Sequence, residues 1–221
     1  MKIERGDQVV VITMQRTENR FNPEHLDELE DALDQVAAMD GRPAAVLTGE
    51  DKFFSNGLDL EWMGSVDPTD AKASVERTMR LFARILTSPF GVVAAINGHC
   101  FAAGAMMALA CDGRVMREDR GFFCLPEVDI NMVFLPGMSA LVACRLSPIA
   151  AHEAMLTGAR FAAPEAMELG IVDAVAPADE VIAAAVERAA RLAGKDPETV
   201  AGIKRGLYSG VVEKLNLPIE V

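Results

Sequence analysis

The sequence predicts an α/β fold, and three observations carry that prediction. Short apolar runs of the kind that form buried strands, such as AAVLT at 44–48 and the run with Val92, Val93 and Ile96, alternate with longer stretches whose apolar residues recur at helical spacing. Asn, Asp, Pro and Gly stand where those stretches begin and end. The composition, 51% hydrophobic and 24% charged over 221 residues, is that of a globular chain able to bury one substantial core. We read one domain, with residues 1–195 as the core and 196–221 as a C-terminal helical extension.

Taken in order, KIER and VVVIT flank a Gly6-Asp7 turn and read as a hairpin. Asn22 caps a helix with Pro23 at its first position, and Leu26, Leu29, Leu33, Val36 and Ala37 give that helix one buried face until Asp40-Gly41 stops it. AAVLT is a buried strand that runs into the loop GEDKFFSNGLDLEWM, where Asn56-Gly57 marks a tight turn. Val75, Met79, Phe82 and Leu86 define a helix over 69–87, which Pro89 cannot continue. Phe90 to Asp112 reads as a buried strand, a Gly-containing turn and a small-residue helix. GRVM at 113–116 and GFFC at 121–124 read as strands around the charged loop REDR, and Pro136-Gly137 starts a helix. Further helices are expected at 148–157, at 164–169 before Gly170, from Asp179 to 193 and from Pro197 to Tyr208, with IVDAV at 171–175 as a short strand.

A net charge of −12 argues against a nucleic-acid partner, which needs a basic surface. Cys100, Cys111, Cys124 and Cys144 show no C-x-x-C spacing, and His25, His99 and His152 lie far apart, so neither a metal site nor a disulfide framework is expected. Reduced thiols, an N-terminus MKIERGDQ without an apolar signal core, and a last segment LPIEV that is no peroxisomal address together predict a cytoplasmic protein. From Ile85 to Cys111 no Asp, Glu, Lys or Arg occurs, a run long enough to span a bilayer. Ser88-Pro89, Gly91, Asn97-Gly98-His99 and Gly104 interrupt it, so a buried core is expected and a membrane is not.

Two loops share one form, an apolar strand, a small-residue turn and a helical start: VLTGEDKFFSNGLDL and VVAAINGHCFAAGAMM. Small residues let a ligand approach the backbone, and a helix N-terminus presents unpaired N–H groups to negative charge. The candidate donors are the N–H of Leu58, after Gly57, and that of Ala103, before Gly104. Two such donors converging would form an oxyanion hole. Either loop alone is also what an ordinary strand-to-helix turn looks like. No phosphate-binding glycine fingerprint and no G-x-S-x-G nucleophile elbow competes with this reading.

With FFSNGLDL at 53–60, AINGHCFAAGAMMALACD at 95–112, FFCLPEVDI at 122–130 and MLTGARFAAPEAMELGIVDAV at 155–175, the chain resembles the crotonase (enoyl-CoA hydratase/isomerase) superfamily over residues 8–195. The resemblance implies a spiral of repeated ββα units, acyl-CoA thioester substrates, no cofactor apart from the coenzyme A of the substrate, and homotrimers or dimers of trimers. It places the oxyanion hole at the amides of Leu58 and Ala103, the second of which is usually Gly in the family. It sets Arg20, Phe21, Lys52 and Phe53 where family members contact coenzyme A, and Asn56, Gly57, Asp59 and Gly104 beside the hole, with Asp59 also reading as a helix start. Lys204 and Arg205 are further candidates for the phosphates. The chain is short for the family at its C-terminal end.

Acidic residues discriminate within the family. Hydratases carry two glutamates; here the first of those positions is Met106, and the second is Glu127 in CLPEVDI. A single carboxylate is the pattern of the Δ3,Δ2-enoyl-CoA isomerases, and MREDRGFFCLPEVDI at 116–130 resembles those of plant peroxisomes in particular. One base can take a proton from C2 and return it at C4, whereas adding water needs a second polar group, which the thioether of Met106 does not supply. Burial among Phe122, Leu125, Met106, Val133 and Phe134 is expected to raise the Glu127 pKa, and Met106 and Phe134 are placed on the substrate. The alternatives are an enoyl-CoA hydratase, another crotonase reaction such as thioester hydrolysis, and a non-catalytic acyl-CoA binder.

Overall fold

The structure, a computed structural model, describes residues 1–219. It opens with the expected hairpin: β1 (Lys2–Arg5) pairs antiparallel with β2 (Val9–Met14), and the Gly6 N–H donates to the Val9 carbonyl across the turn. β2 then pairs parallel with β3 (Ala44–Gly49), β3 with β5 (Val92–Ile96), β5 with β7 (Gly113–Arg117) and β7 with β9 (Ala174–Ala176), in one sheet ordered β1-β2-β3-β5-β7-β9. β3 and β5 are buried along their whole length, which is why they read as unbroken apolar runs. Val10, Ile12, Leu47, Ala94 and Ile96 face one core, packed with α1 (Pro23–Ala37) and α3 (Pro68–Leu86). Their neighbours Val9, Val46, Val93 and Ala95 face the other, closed by Val181, Ala185 and Ala189 of α8 (Val181–Ala190).

β3, β5 and β7 each lead into a very short strand of a second, parallel sheet: β4 (Phe53–Ser55), β6 (His99–Phe101) and β8 (Phe123–Cys124). Helix follows each time. After β4 come α2 (Leu60–Ser65) and α3, after β6 comes α4 (Ala103–Ala110), and after β8 come a 3-10 turn (Pro126–Val128) and α5 (Pro136–Arg145). This is the spiral of ββα units. Because β4, β6 and β8 are neighbours, the three junctions that follow them lie side by side. α6 (Pro148–Thr157) and α7 (Ala163–Glu168) continue the chain, and α9 (Pro197–Leu215) packs on α3 and α5.

Several boundaries differ from the sequence expectation. The loop after β3 contains β4 and α2, and the turn after β5 contains β6; strands of three residues leave no periodicity to read. GRVM and GFFC do not pair, because the segment between them crosses from the large sheet to the small one. Ile171 and Val172 tuck into the core with their N–H groups on the Ala166 carbonyl, so the strand expected over 171–175 begins at Ala174. α8 starts at Val181 rather than Asp179, with Glu180 at its cap. α9 continues past Tyr208 to Leu215, since buried Val211 and Leu215 hold its end in place despite Gly210. Ala37 is exposed, and the buried face of α1 ends at Val36.

Lys204 is no phosphate partner. It is 7% exposed, and its ammonium donates to the Asp112 carboxylate at 2.6 Å, the Phe90 carbonyl at 2.8 Å and the Ser88 hydroxyl at 3.1 Å. It ties α9 to the strand-entry loop before β5. Asp112 also accepts from the Val92 N–H at 2.7 Å. The uncharged run from Ile85 to Cys111 resolves into the end of α3, β5, β6 and α4, and no helix of the described residues is long and apolar enough to cross a membrane.

The Asn22 side chain caps α1 by accepting from the His25 N–H at 3.0 Å, and this fixes His25 in the core. The imidazole is fully buried, stacks on Phe21 at 5.9 Å, and neither ring nitrogen has a hydrogen-bond partner among the described residues. Desolvation outweighs Glu28, 3.5 Å from Nδ1, and lowers its pKa to about 4. An unfolded chain therefore takes up this proton before the folded one does. The stability associated with neutral His25 is complete above the ordinary value of 6.5 and is lost as pH falls toward about 4, a range worth up to about 3 kcal/mol. His25→Phe is expected to flatten the pH dependence of denaturant unfolding between those limits. An unchanged slope would show that His25 is not the group responsible.

Candidate active site

The site is built where the junctions after β4 and β6 touch. Phe21 forms a parallel bridge with Leu58: its N–H donates to the Gly57 carbonyl at 2.8 Å, and its carbonyl accepts from the Asp59 N–H at 3.0 Å. That pairing uses the peptide groups on either side of Leu58 and leaves the Leu58 N–H on the opposite side, away from Phe21. Gly57 sits at φ +84°, and a Cβ placed there would come within 2.9 Å of the Ala102 Cβ and 3.1 Å of the Ala103 nitrogen. Both the left-handed backbone and the close approach require glycine. The two candidate amides are thus carried by backbone segments in van der Waals contact.

Ser55 and Asn19 support this contact from below, and neither was singled out from the sequence. The Ser55 hydroxyl donates to the Asn19 carbonyl at 2.7 Å and accepts from the Gly57 N–H at 3.2 Å. The Asn19 side-chain amide donates to the Phe54 carbonyl at 3.0 Å, and its carbonyl oxygen accepts from the Arg16 N–H at 3.0 Å. Gly104 lies directly over Ser55; a Cβ on it would stand 2.6 Å from both the Ser55 Cβ and the Ser55 carbonyl oxygen.

Ala103 is the first residue of α4 and has ordinary helical surroundings, so its methyl is accommodated. The unusual backbone belongs to its neighbour Ala102, at φ +51° and ψ −126°, a region that glycine favours. Ala102 turns the chain from β6 into α4, with its N–H donated to the Cys124 carbonyl at 3.0 Å.

Leu58, Ala102 and Ala103 line a cavity of about 290 Å³ together with Glu127, Arg20 and Asn56. Its remaining wall is apolar, with Leu60, Ile130, Met132 and Met138 prominent. Glu127 sits in the 3-10 turn after β8, is 5% exposed, and its Oε2 has no hydrogen-bond partner among the described residues. Burial raises its pKa to about 7 against a weaker opposing effect of a backbone hydrogen bond. Among the described residues it is the one carboxylate lining the cavity.

Other expected site residues fall elsewhere. Met106 is fully buried within the core, and Phe21 likewise, contributing only its backbone to the Leu58 bridge. Lys52 is exposed, Phe53 packs on His99 at 5.4 Å, and Phe134 is half-buried against the core; none of the three lines the cavity. Val133, expected to shield Glu127, is 89% exposed at the cavity rim. Asp59 caps α2 through the Trp62 N–H at 3.1 Å and borders a polar recess shared with Arg20. The Arg20 guanidinium is held by Glu18, which also accepts from the Asn56 side chain at 2.8 Å. No group of three or more His, Cys, Asp or Glu among the described residues is placed to hold a metal ion.

Residues 4–218 match the family model described as Enoyl-CoA hydratase/isomerase. The chain is 35% identical over 222 residues to Enoyl-CoA delta isomerase 3 of Arabidopsis thaliana, an alignment covering 96% of this chain and 93% of that protein. A putative enoyl-CoA hydratase of Thermus thermophilus is 34% identical over 205 residues, covering 90% of this chain and 80% of the other. The crystal structure of human mitochondrial delta3-delta2-enoyl-CoA isomerase superposes with a TM-score of 0.89 at 26% identity, covering 97% and 85% of the two chains.

The contact between the loops sets an expectation for stability. Gly57→Ala forces a clash with Ala102 and a strained φ, and Ser55→Ala leaves the Asn19 carbonyl without its donor; each is expected to cost about 1–3 kcal/mol in urea unfolding, with an unchanged m-value. If Gly57→Ala unfolded within 0.5 kcal/mol of the parent, roughly the scatter of an ordinary surface substitution, the two loops would not be in contact.

Proposed function

Because the chain belongs to the enoyl-CoA hydratase/isomerase family, and is therefore an enzyme of that family, we propose that it moves the double bond of a 3-enoyl-CoA to the 2 position. The observation that carries this reading is the solitary carboxylate. Glu127 is the one acidic group lining the cavity among the described residues, and the position where hydratases resembling this chain carry their other glutamate is Met106, out of reach in the core.

The thioester oxygen accepts from the Leu58 and Ala103 N–H groups. Glu127, ionised, takes a proton from C2, and the electron pair passes through the carbonyl to give a dienolate whose oxyanion the two donors stabilise. The Glu127 carboxylic acid then delivers that proton to C4, leaving the double bond between C2 and C3. No group is gained or lost and the carboxylate is regenerated. A pKa near 7 suits both halves, since the same group must accept and then release the proton. Arg20 would meet the coenzyme A phosphates on exchanging its Glu18 partner for them. Trimeric assembly is part of the same proposal, and the exposed side chains of Ile149, Leu156, Ile203 and Leu207 favour self-association.

A second reading, hydration, is favoured by the relatives named as hydratases, such as the Thermus protein. The two separate in one assay. With 3-enoyl-CoA the proposal expects ultraviolet absorbance from the conjugated thioester to appear; with 2-enoyl-CoA it expects no conversion to the 3-hydroxyacyl product beyond a trace. Glu127→Gln is expected to lower kcat/KM for isomerisation roughly a hundredfold to ten-thousandfold, and retention within tenfold would remove the single-base mechanism. For the parent, kcat/KM should rise with pH up to about 7 and then level, because the base must be ionised in the free enzyme. Stability runs the other way. The folded state binds this proton more tightly than the unfolded one, so the contribution of Glu127 is full in acid and is lost as pH rises from 4.5 through about 7. Glu127→Gln should therefore be the more stable protein at alkaline pH, by up to about 3 kcal/mol.

A further inference from the structure

The cavity that holds Glu127 does not end at its own far wall. A second cavity of about 320 Å³ shares Leu58, Met132, Val133 and Met138 with it, and its remaining lining is apolar but for Lys72. A third, of about 440 Å³, shares Leu135 and Ile219 with the second and is bounded by Leu215, Leu217 and Pro218 at the C-terminal end of the described chain. On the opposite side, through Arg20, the first cavity adjoins a recess of about 330 Å³ lined entirely by polar and charged residues. The polar end of the series is thus the Arg20 recess, and beyond Glu127 the lining of the second and third cavities is apolar but for Lys72 and Lys214.

A wholly polar recess at one end and mainly apolar cavities at the other orient a ligand that is charged at one end and apolar at the other. Met132 and Met138 form the partition between the first two cavities, and unbranched thioether side chains can move aside at low cost. The far wall is fixed. The Ile219 N–H donates to the Glu76 carboxylate of α3 at 3.0 Å, which pins the tail across the third cavity. Gly137 lets the start of α5 rest directly on α9, where a Cβ would stand 2.7 Å from the Leu215 Cα. The tail therefore leaves a rigid corner.

We infer that these cavities are the acyl-chain channel of the enzyme, that it selects long, unbranched hydrocarbon chains over short ones, and that the tail segment Leu217–Ile219 is the wall that sets the upper length. The inference rests on the acyl-CoA reading above and adds the class of acyl group. Each methylene that enters the apolar channel leaves water, so specificity should climb with chain length until the tail is met.

The test is turnover of hex-3-enoyl-, dec-3-enoyl- and hexadec-3-enoyl-CoA by the full chain and by Ile219→Trp. The parent is expected to show kcat/KM at least tenfold higher for the ten-carbon than for the six-carbon substrate. Ile219→Trp should lower kcat/KM at least tenfold for the ten- and sixteen-carbon substrates while leaving the six-carbon one within threefold, a pattern that a misfolded variant does not produce. A second variant, Glu76→Gln, weakens the pin and should relax discrimination between ten and sixteen carbons. Equal kcat/KM across the three chains, or equal losses on all three in Ile219→Trp, would overturn the channel. A preference for a six-carbon substrate bearing a terminal carboxylate would overturn it in favour of Lys72 as an anion partner. Absence of turnover with every chain would instead sink the isomerase reading, and binding of saturated acyl-CoAs by calorimetry, tightening with length, would still report on the channel.

Discussion

The approach of two backbone segments, Gly57 against Ala102 and Ala103, is the constraint on which the site depends. An oxyanion hole, the role proposed for the Leu58 and Ala103 amides, needs two donors fixed relative to each other before charge develops, since reorganising them during the reaction would cost what they are meant to supply. Side-chain donors could be aimed by rotamers; backbone donors are aimed only by the path of the chain. Here the path is held by a bridge to Phe21, by Ser55 beneath both loops and by the parallel pairing of β4 with β6. The spiral topology matters for this reason. Repeating the strand-strand-helix unit brings successive junctions next to one another, so amides far apart in sequence share one cavity.

Glu127 reflects the opposite requirement, that a charge be made costly. The chain carries a net charge of −12, yet the cavity has one carboxylate among its described lining, and the surroundings are Pro126, Ile130 and other apolar groups. With no hydrogen-bond partner for Oε2 among the described residues, desolvation outweighs the opposing backbone hydrogen bond, and that raises the pKa to about 7. Most buried carboxylates in proteins are paired for stability. An unpaired one holds its proton more tightly in the folded state than in the unfolded chain, which suits the base proposed for this position.

Much of this architecture was legible in the sequence because the large sheet is covered on both faces. Unbroken apolar runs at 44–48 and 92–96 have no other comfortable place than a central parallel strand, and Asn22-Pro23 fixed the start of α1 through a real cap. The small sheet was not legible. Two or three residues at β4, β6 and β8 are set by neighbours distant in sequence, and local pattern holds no trace of them. The same division runs through the site. Leu58, Ala103 and Glu127 sit in motifs and could be picked out, whereas Ser55, Asn19 and the Met132–Met138 wall owe their roles to tertiary contact. Lys204 shows the converse error: a lysine on a late helix looks solvated until the fold places Asp112 against it.

The two ends of α4 bring these points together. Its C-terminal carbonyls are met by Arg145, whose guanidinium donates to the Leu109 and Cys111 carbonyls at 2.8 and 2.7 Å and also reaches Tyr208 of α9. A cation there complements the negative end of the helix dipole. Its N-terminal end has no side-chain cap at all, because the capping position is Ala102 rather than Ser, Thr, Asn or Asp. A polar cap would occupy the first amides of the helix from within and blunt the field at the cavity. An alanine leaves them free, at the expense of helix stability and of a strained φ. The rear of α4 is therefore secured by a part-buried network, while its front, which carries the Ala103 amide proposed for the oxyanion hole, has no side-chain cap.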